Sequence, residues 1–424
     1  MSLLRDFNGK NVCILGFGKE GKSVLNKLMT DAPDAEITIA DKNEKIKVEN
    51  SKHWKQMGTG WLENLDKFDI IIKSPGIPPQ PEIEAVKSKL TNALQIFLEE
   101  AKEIKSTVIG ITGTKGKSTV TALLGSIFKK AGRDVRVGGN IGTPILDLLD
   151  NATKETVFVV EMSSYQLMNI SQSPEITIIT SLFEDHLDYH GSKDAYVDAK
   201  KNAVRFQSKE GFVFIPVDDE EVQKIAKESS GTIITYSKND SPININETKL
   251  IGEHNLLNIA GASKVATHFN IDKNSMIDAI KEFKGLPHRL ENIGIHHEIT
   301  WIDDSISTTP ETTIAALNAL GGNVETLICG GFDRGLNFSE LGKAISESNI
   351  LTAILFPNTG EKILKTIKSD KIKCIDVKTM EEAVNTAKEH TSKGKICLLS
   401  PASPSHNMFK NFEERGDMFR KSIN

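Results

Sequence analysis

The sequence predicts an α/β protein of three consecutive domains, and three observations carry that expectation. Short β-branched runs alternate with turns and helical periods along the whole chain, the pattern of parallel sheets covered by helices. Two glycine-rich turns, at residues 16–21 and 112–119, each follow an apolar run and precede a helical one. The chain of 424 residues is also longer than one hydrophobic core usually fills. A Gly-Leu-Pro turn at 285–287 punctuates it before the last third. The expected domains are a Rossmann-like one over 1–95, a central P-loop-type domain with a mostly parallel sheet over 96–284, and a second Rossmann-like one over 285–424.

The first block carries strands at 11–15, 36–40 and 69–73 and a helical run at 82–103. The second opens with a strand at 107–111 and a helix at 120–128, and continues with strands at 157–160, 176–180, 211–215 and 232–236. The third holds strands at 300–302, 326–329, 351–356, 373–377 and 396–399. A net charge of −5 gives no reason to expect nucleic acid or an anionic membrane as a partner. No apolar run approaches a membrane span, and the first ten residues lack the apolar core of a signal peptide, so a cytoplasmic protein is expected. Cys13, Cys329, Cys374 and Cys397 show no metal-type pairing, and three sit in apolar runs, so buried reduced thiols are expected.

Residues 109–119, IGITGTKGKST, are the most informative stretch. A strand runs into Gly113-Thr114-Lys115-Gly116-Lys117-Ser118-Thr119 and then into a helix. Loop N–H groups would wrap phosphate oxygens, the helix dipole favours the anion, Lys117 reaches the outer phosphates, and Ser118 or Thr119 suits Mg²⁺. Gly110 lies one residue too far from Gly116 for the generic pattern, so this is a variant nucleoside triphosphate loop. Gly16-Phe17-Gly18-Lys19-Glu20-Gly21, with Asp41 ending the next strand, fits a dinucleotide fingerprint. A UDP diphosphate satisfies the same geometry. Ser74-Pro75-Gly76 follows the third strand on the same edge.

Glu161 ends an apolar strand beside the phosphate loop, where a Mg²⁺ ligand is wanted. His186 sits among Glu184, Asp185 and Asp188, which suits a metal or acid–base role. Lys200, taken alone, reads as a solvated helix lysine. In the third block, turns at 303–305, 330–335 and 400–405 all follow strands, so they share one sheet edge, and Arg334 there suits a carboxylate.

Together these motifs resemble the Mur ligases of peptidoglycan synthesis, and the glutamate-adding branch most closely. SPGIPP (74–79), TGTKGKST (112–119), GGNIGTP (138–144), EMSSYQL (161–167), EDHLD (184–188), GEHNLLN (252–258) and GLPHRLE (285–291) occur in the family's order, followed by residues 398–415. The resemblance implies ATP-dependent amide formation between UDP-N-acetylmuramoyl-L-alanine and glutamate through an acyl phosphate, with two Mg²⁺ ions. Lys117, Glu161, His186 and Lys200 would be the catalytic group, with Lys200 carbamylated and contributing a metal ligand beside Ser118, Thr119, Glu161 and His186. The loop from Gly113 to Thr119, Asn258, Arg289 and Asp304 would hold ATP. Gly18, Lys19, Glu20, Asp41, Ser74, Gly76, Asn140 and His186 would hold the UDP-substrate, and Thr308, Arg334, Ser405 and Phe412 the glutamate. A monomer acting on small molecules is implied.

This chain departs from the family pattern at the glutamate site. Ile306 stands where a lysine is usual, and His406 where an apolar residue is common. D-glutamate is the leading expectation and L-glutamate the alternative. Folylpolyglutamate synthase shares the ATP loop but leaves GFGKEG and SPGIPP unexplained. A nicotinamide oxidoreductase rests on GFGKEG alone and gives Lys117, Glu161 and His186 no task. A non-catalytic nucleotide sensor would be expected to lose a catalytic position, and none is lost.

Overall fold

The computed structural model describes residues 3–48 and 54–423. Its strands form three sheets. β1 (Asn11–Leu15), β2 (Glu36–Asp41), β3 (Trp54–Met57), β4 (Ile70–Lys73) and β5 (Leu90–Thr91) make the first. It is wholly parallel in the order β3-β2-β1-β4-β5, so the order reverses between β1 and β4. Ligand crevices lie beyond the carboxyl ends of strands at such a reversal.

The second sheet is also parallel: β6 (Thr107–Thr112), β7 (Val135–Gly139), β8 (Val157–Glu161), β9 (Ile176–Ile179), β10 (Phe212–Pro216) and β11 (Thr232–Tyr236), ordered β11-β10-β9-β6-β8-β7. β6 is therefore central, and β8 and β9 flank it at the edge from which the phosphate loop leaves.

The third contains β12 (Glu291–His296), β13 (Ile299–Asp303), β14 (Val324–Gly331), β15 (Thr352–Asn358), β16 (Lys373–Asp376) and β17 (Ile396–Leu399) in the order β12-β13-β17-β14-β15-β16. This sheet is mixed rather than purely Rossmann-like. β12 pairs antiparallel with β13 through the two-residue turn His297-Glu298, whose positive φ values of 55° and 62° match a type I′ hairpin.

Two expectations need correction. The helical run at 82–103 is broken: a short helix α2 (Pro81–Glu84; α1 is Lys19–Asp31) and a 3₁₀ turn lead into β5, and α3 covers Ala93–Ile104. The cause is local, because the Asn92 side chain accepts a hydrogen bond from the Gln95 amide and so starts a new helix. Strands β3, β5, β7 and β12 carry weak apolar patterns and were not expected. The other strands fall within a few residues of their predicted spans. Cys13, Cys329 and Cys397 are buried free thiols, as expected, and Cys374 is half-buried and free.

The chain divides into two compact units, Met1–Asn244 with Leu256–Glu282, and Ile245–Asn255 with Phe283–Asn424. The first two sheets lie in the first unit, and one hydrophobic cluster runs through both. Phe97 of α3 meets Phe158 of β8 edge to face at 5.0 Å, and both rings are fully buried. In the second unit, alternate residues of the central strands feed two cores. Leu327, Cys329 and Leu398 face one, while Trp301, Ile328, Ile354 and Leu399 face the other, as a sheet covered on both sides requires. Trp54 on edge strand β3 is exposed, whereas Trp301 on β13 is wholly buried. Truncating Phe97 leaves a cavity between helix and sheet. Phe97→Ala is expected to lose about 3–5 kcal/mol of stability in urea titrations of the first unit's transition, and a loss below about 1 kcal/mol would contradict this packing.

Candidate functional site

β6 delivers Thr112 to a tight loop, and α4 (Lys117–Lys130) starts at once behind it. Gly113 and Gly116 both have positive φ, +139° and +87°. A Cβ on Gly113 would lie 2.2 Å from the Thr180 hydroxyl, and one on Gly116 would lie 2.5 Å from Asn258 Oδ1. Only glycine fits at either place. Thr180 and Ser181, just beyond β9, brace the loop: the Thr180 hydroxyl donates to the Lys115 carbonyl (2.6 Å), and Ser181 Oγ accepts from the Lys115 amide (2.9 Å). Lys117 Nζ donates to the carbonyls of Gly113 (3.0 Å) and Thr114 (2.9 Å). Ser118 is half-buried and Thr119 buried in the first turn of α4, while Lys115 is exposed. Asn258, in helix His254–His268, lies against this loop as expected.

β8 pairs with β6 so that Glu161 lies opposite Ile111 at the same sheet edge. Glu161 Oε1 accepts from Asn140 Nδ2 (2.7 Å), but Oε2 is buried and has no hydrogen-bond partner. A buried, unshared carboxylate oxygen fits a hard divalent cation.

Lys200 lies in α7 (Lys193–Arg205; α5 is Ser164–Leu167 and α6 Leu187–His190). It is 1% exposed, so the solvated-lysine expectation fails. Its Nζ donates to the Gly113 carbonyl at 2.8 Å and lies 4.9 Å from the Tyr196 ring centre. Burial first and the Lys117 charge second hold its amine well below the ordinary lysine range, against Asp185 and Glu161. Tyr196 in turn shares a 2.8 Å hydrogen bond with Thr114 of the loop.

His186, just before α6, adopts a left-handed conformation (φ 55°), with Nε2 3.6 Å from Asp185 and its ring 5.0 Å from Tyr165. The remaining histidine of that stretch, His190, is buried and bonded to Ser164. The structure thus gathers Lys117, Glu161 and Lys200 at one edge of the second sheet, with His186 on the loop leaving its neighbouring strand.

At the first sheet, Gly16 (φ +91°) turns the chain after β1, and the Ser74 hydroxyl donates to its carbonyl at 2.9 Å. Asp41 accepts from the amides of Phe17 (2.7 Å) and Asn43 (2.8 Å), so it organises the turn. Gly18, Lys19 and Gly76 are exposed at this edge, and Glu20 bonds to Gln166 at 3.1 Å.

In the second unit, Asp304 follows β13 and is buried. It accepts from the Leu290 amide (3.2 Å) and the Ser400 hydroxyl (2.8 Å), and burial raises its pKa to about 6. Arg289 and Arg334 are exposed, Thr308 and Phe412 half-buried, and Ser405 buried. Ile306 donates its amide to the His288 carbonyl, which ties the loop before α-helix Pro310–Leu320 to the GLPHRLE turn.

Sequence reasoning missed two anchors here. Asp303 accepts from His288 at 2.7 Å and from the Ser305 amide at 2.9 Å. Arg415, fully buried, donates to Ser305 and to the Ser403 carbonyl. Its position among charges at the chain's end gave no hint of burial.

These sheets, the phosphate loop and its carboxylate–lysine edge define a class. The chain belongs to the Mur ligase family. Residues 111–249 match the profile described as Mur ligase middle domain, and residues 288–403 that of the Mur ligase, glutamate ligase domain. It is 33% identical to the UDP-N-acetylmuramoylalanine–D-glutamate ligase of Clostridioides difficile (strain 630), over 99% of both chains. The enzyme of the same name from Acetivibrio thermocellus is 32% identical, over 99% of this chain and 98% of that one. Among solved structures, the MurF ligase of Thermotoga maritima in complex with ADP shares the fold at a TM-score of 0.61 and 18% identity, covering 100% and 97% of the two chains. MurF from Acinetobacter baumannii gives 0.63 at 15% identity, covering 100% and 93%. No helix among the described residues is long and apolar enough to cross a membrane.

The raised Asp304 pKa makes a prediction with a definite sign. A carboxyl that binds its proton more tightly when folded stabilises the fold at low pH, and that contribution is lost as pH rises from about 3.8 to about 6. The loss amounts to about 3 kcal/mol. Asp304→Asn should remove this part of the stability slope in urea titrations at pH 4, 5 and 6. A variant whose slope matches wild type would show that Asp304 titrates normally.

Proposed function

We propose that this protein is an ATP-dependent ligase that joins D-glutamate to UDP-N-acetylmuramoyl-L-alanine, releasing ADP and phosphate, in peptidoglycan precursor synthesis. The observation that carries this assignment is the meeting of a glycine-rich loop, a buried carboxylate with an unshared oxygen and a wholly buried lysine at one sheet edge. The names of the similar enzymes support the substrate pair and the D-enantiomer.

The chemistry starts from a carboxylate, which is a poor electrophile at neutral pH. Its oxygen attacks the γ-phosphorus of ATP, ADP departs, and an acyl phosphate forms. The glutamate amine then adds to the acyl carbon, a proton is lost from nitrogen, and the C–O bond to phosphate breaks. Positioning and charge neutralisation supply most of the catalysis. The backbone of Gly113 to Gly116 cradles the β- and γ-phosphates, and Lys117 gives up its carbonyl contacts to meet them. Asn258 flanks the loop, and Arg289 and Asp304 serve phosphate and ribose.

Glu161 with Ser118 or Thr119 would hold one Mg²⁺ ion, and His186 with a Lys200 carbamate a second. When bound, the ions offset the negative charge gathering on the transferred phosphoryl group. Lys200 suits carbamylation because burial and the Lys117 charge disfavour its charged form, and it is the unprotonated amine that attacks CO₂. Gly18, Lys19, Glu20, Asp41, Ser74, Gly76, Asn140 and His186 border the UDP-substrate, with Asp41 acting through the turn it organises. Thr308, Arg334, Ser405 and Phe412 receive glutamate. The domains are those of the three sheets, bounded near 95 and 284, and the enzyme works as a cytoplasmic monomer.

L-glutamate remains the second substrate reading, because Ile306 removes the cation usual at the glutamate site. Phosphate release from ATP with UDP-N-acetylmuramoyl-L-alanine should require D-glutamate. Turnover with L-glutamate alone would reassign the substrate to that enantiomer, and turnover with neither would reject the assignment. Lys200→Ala should lose nearly all activity and regain part of it with acetate, a short carboxylate that replaces the carbamate. Full activity without acetate would remove the carbamate from the mechanism.

A further inference from the structure

Lys73 is not among the residues assigned to ATP, the metal ions, the UDP-substrate or glutamate. It is the last residue of β4, immediately before Ser74, and only 5% exposed. An ammonium carries three donors, and its hydrogen bond in the structure goes to the Tyr189 hydroxyl at 3.2 Å. The two carboxylates whose field reaches it are engaged elsewhere: Glu20 with Gln166, and Glu84 with Lys87. Burial lowers its pKa to about 8, which leaves it mostly cationic at neutral pH. A buried cation without a paired anion is costly, and the cost is recovered only when an anion arrives.

Its position says where that anion would come from. β4 and β1 flank the point at which the order of the first sheet reverses, and Lys73 lies at the carboxyl end. The thirteen-residue helix α1 begins at this same edge, after the Gly16–Gly18 turn. Tyr189 fixes the lysine's direction. Its hydroxyl lies 2.5 Å from the Pro75 carbonyl and 2.7 Å from that of Ile77, so it donates into the SPGIPP turn while accepting from Lys73. Its ring packs at a tilt against Tyr165, the ring centres 3.9 Å apart. Lys73 is thereby held beside Ser74, under the turn that borders the crevice.

We propose that Lys73 binds the diphosphate of the UDP-linked substrate, with Tyr189 as the positioning residue that aims it. This rests on the UDP-substrate assignment made above. Tyr189 lies three residues from His186, so the same contact joins the UDP end of the site to the segment carrying His186.

Binding of UDP and of uridine to the intact enzyme, measured by calorimetry for wild type and Lys73→Met, tests this. The variant keeps the length of the buried stem, and thermal unfolding close to wild type would confirm its fold. UDP affinity should fall roughly tenfold to a hundredfold while uridine affinity stays unchanged, and KM for the UDP-substrate should rise with kcat little altered. Lys73→Arg should recover part of the UDP affinity. Unchanged UDP affinity, or an equal loss for uridine and UDP, overturns the role of Lys73 while wild-type turnover still upholds the ligase. A wild-type enzyme that neither binds UDP nor turns over the UDP-substrate overturns both.

Discussion

One carbonyl oxygen, that of Gly113, accepts hydrogen bonds from two lysines, Lys117 at 3.0 Å and Lys200 at 2.8 Å. Two ammonium groups cannot share so small a volume, away from water, while both are fully charged. Lys200 yields, since it is the more deeply buried. Much of the first unit follows from this constraint. Gly113 must be glycine because the Thr180 hydroxyl occupies the space of a Cβ, and Thr180 must sit there to hold the Lys115 carbonyl. Tyr196 closes the pocket from α7 by bonding Thr114. The result is an amine whose charged form is disfavoured, kept beside Lys117, with the unshared oxygen of Glu161 on the neighbouring strand.

The second unit solves a different problem, that of giving irregular loops a fixed shape. The turn from Gly285 to Glu291 carries positive φ at His288 and Leu290, 60° and 43°, a conformation that side-chain-bearing residues rarely hold unaided. It is held by buried charge: His288 on Asp303, and the Leu290 amide on Asp304. Arg415, reaching from the last helix, fixes Ser305 and Ser403 together, so two loops at one sheet edge share a single rigid cation. Arg289, between the two strained residues, is left facing solvent.

Much of this was legible in the sequence, and the gaps have physical causes. The strong strands were readable because a parallel sheet buried on both faces demands near-continuous apolar runs such as residues 157–160 (VFVV) and 396–399 (ICLL). Edge strands such as Trp54–Met57 escape because one flank meets water and the apolar demand relaxes. The phosphate loop was legible because its glycines answer to backbone geometry that no other residue satisfies. Lys200 was not: no local pattern tells a buried lysine from a solvated one, and only the family resemblance singled it out. Lys73 and Arg415 were missed for the same reason, since burial of a cation is decided by residues distant in sequence.

The three tryptophans divide between the units in a way that makes the chain report on itself. Trp54 is exposed and Trp61 half-buried in the first unit, whereas Trp301 is sealed in the second beneath Phe419. Indole emission shifts to longer wavelength with hydration, so the blue edge of the native spectrum belongs to the second unit and the red edge to the first. A single emission scan therefore carries two separable signals, and the melting of each unit can be followed without attaching a label.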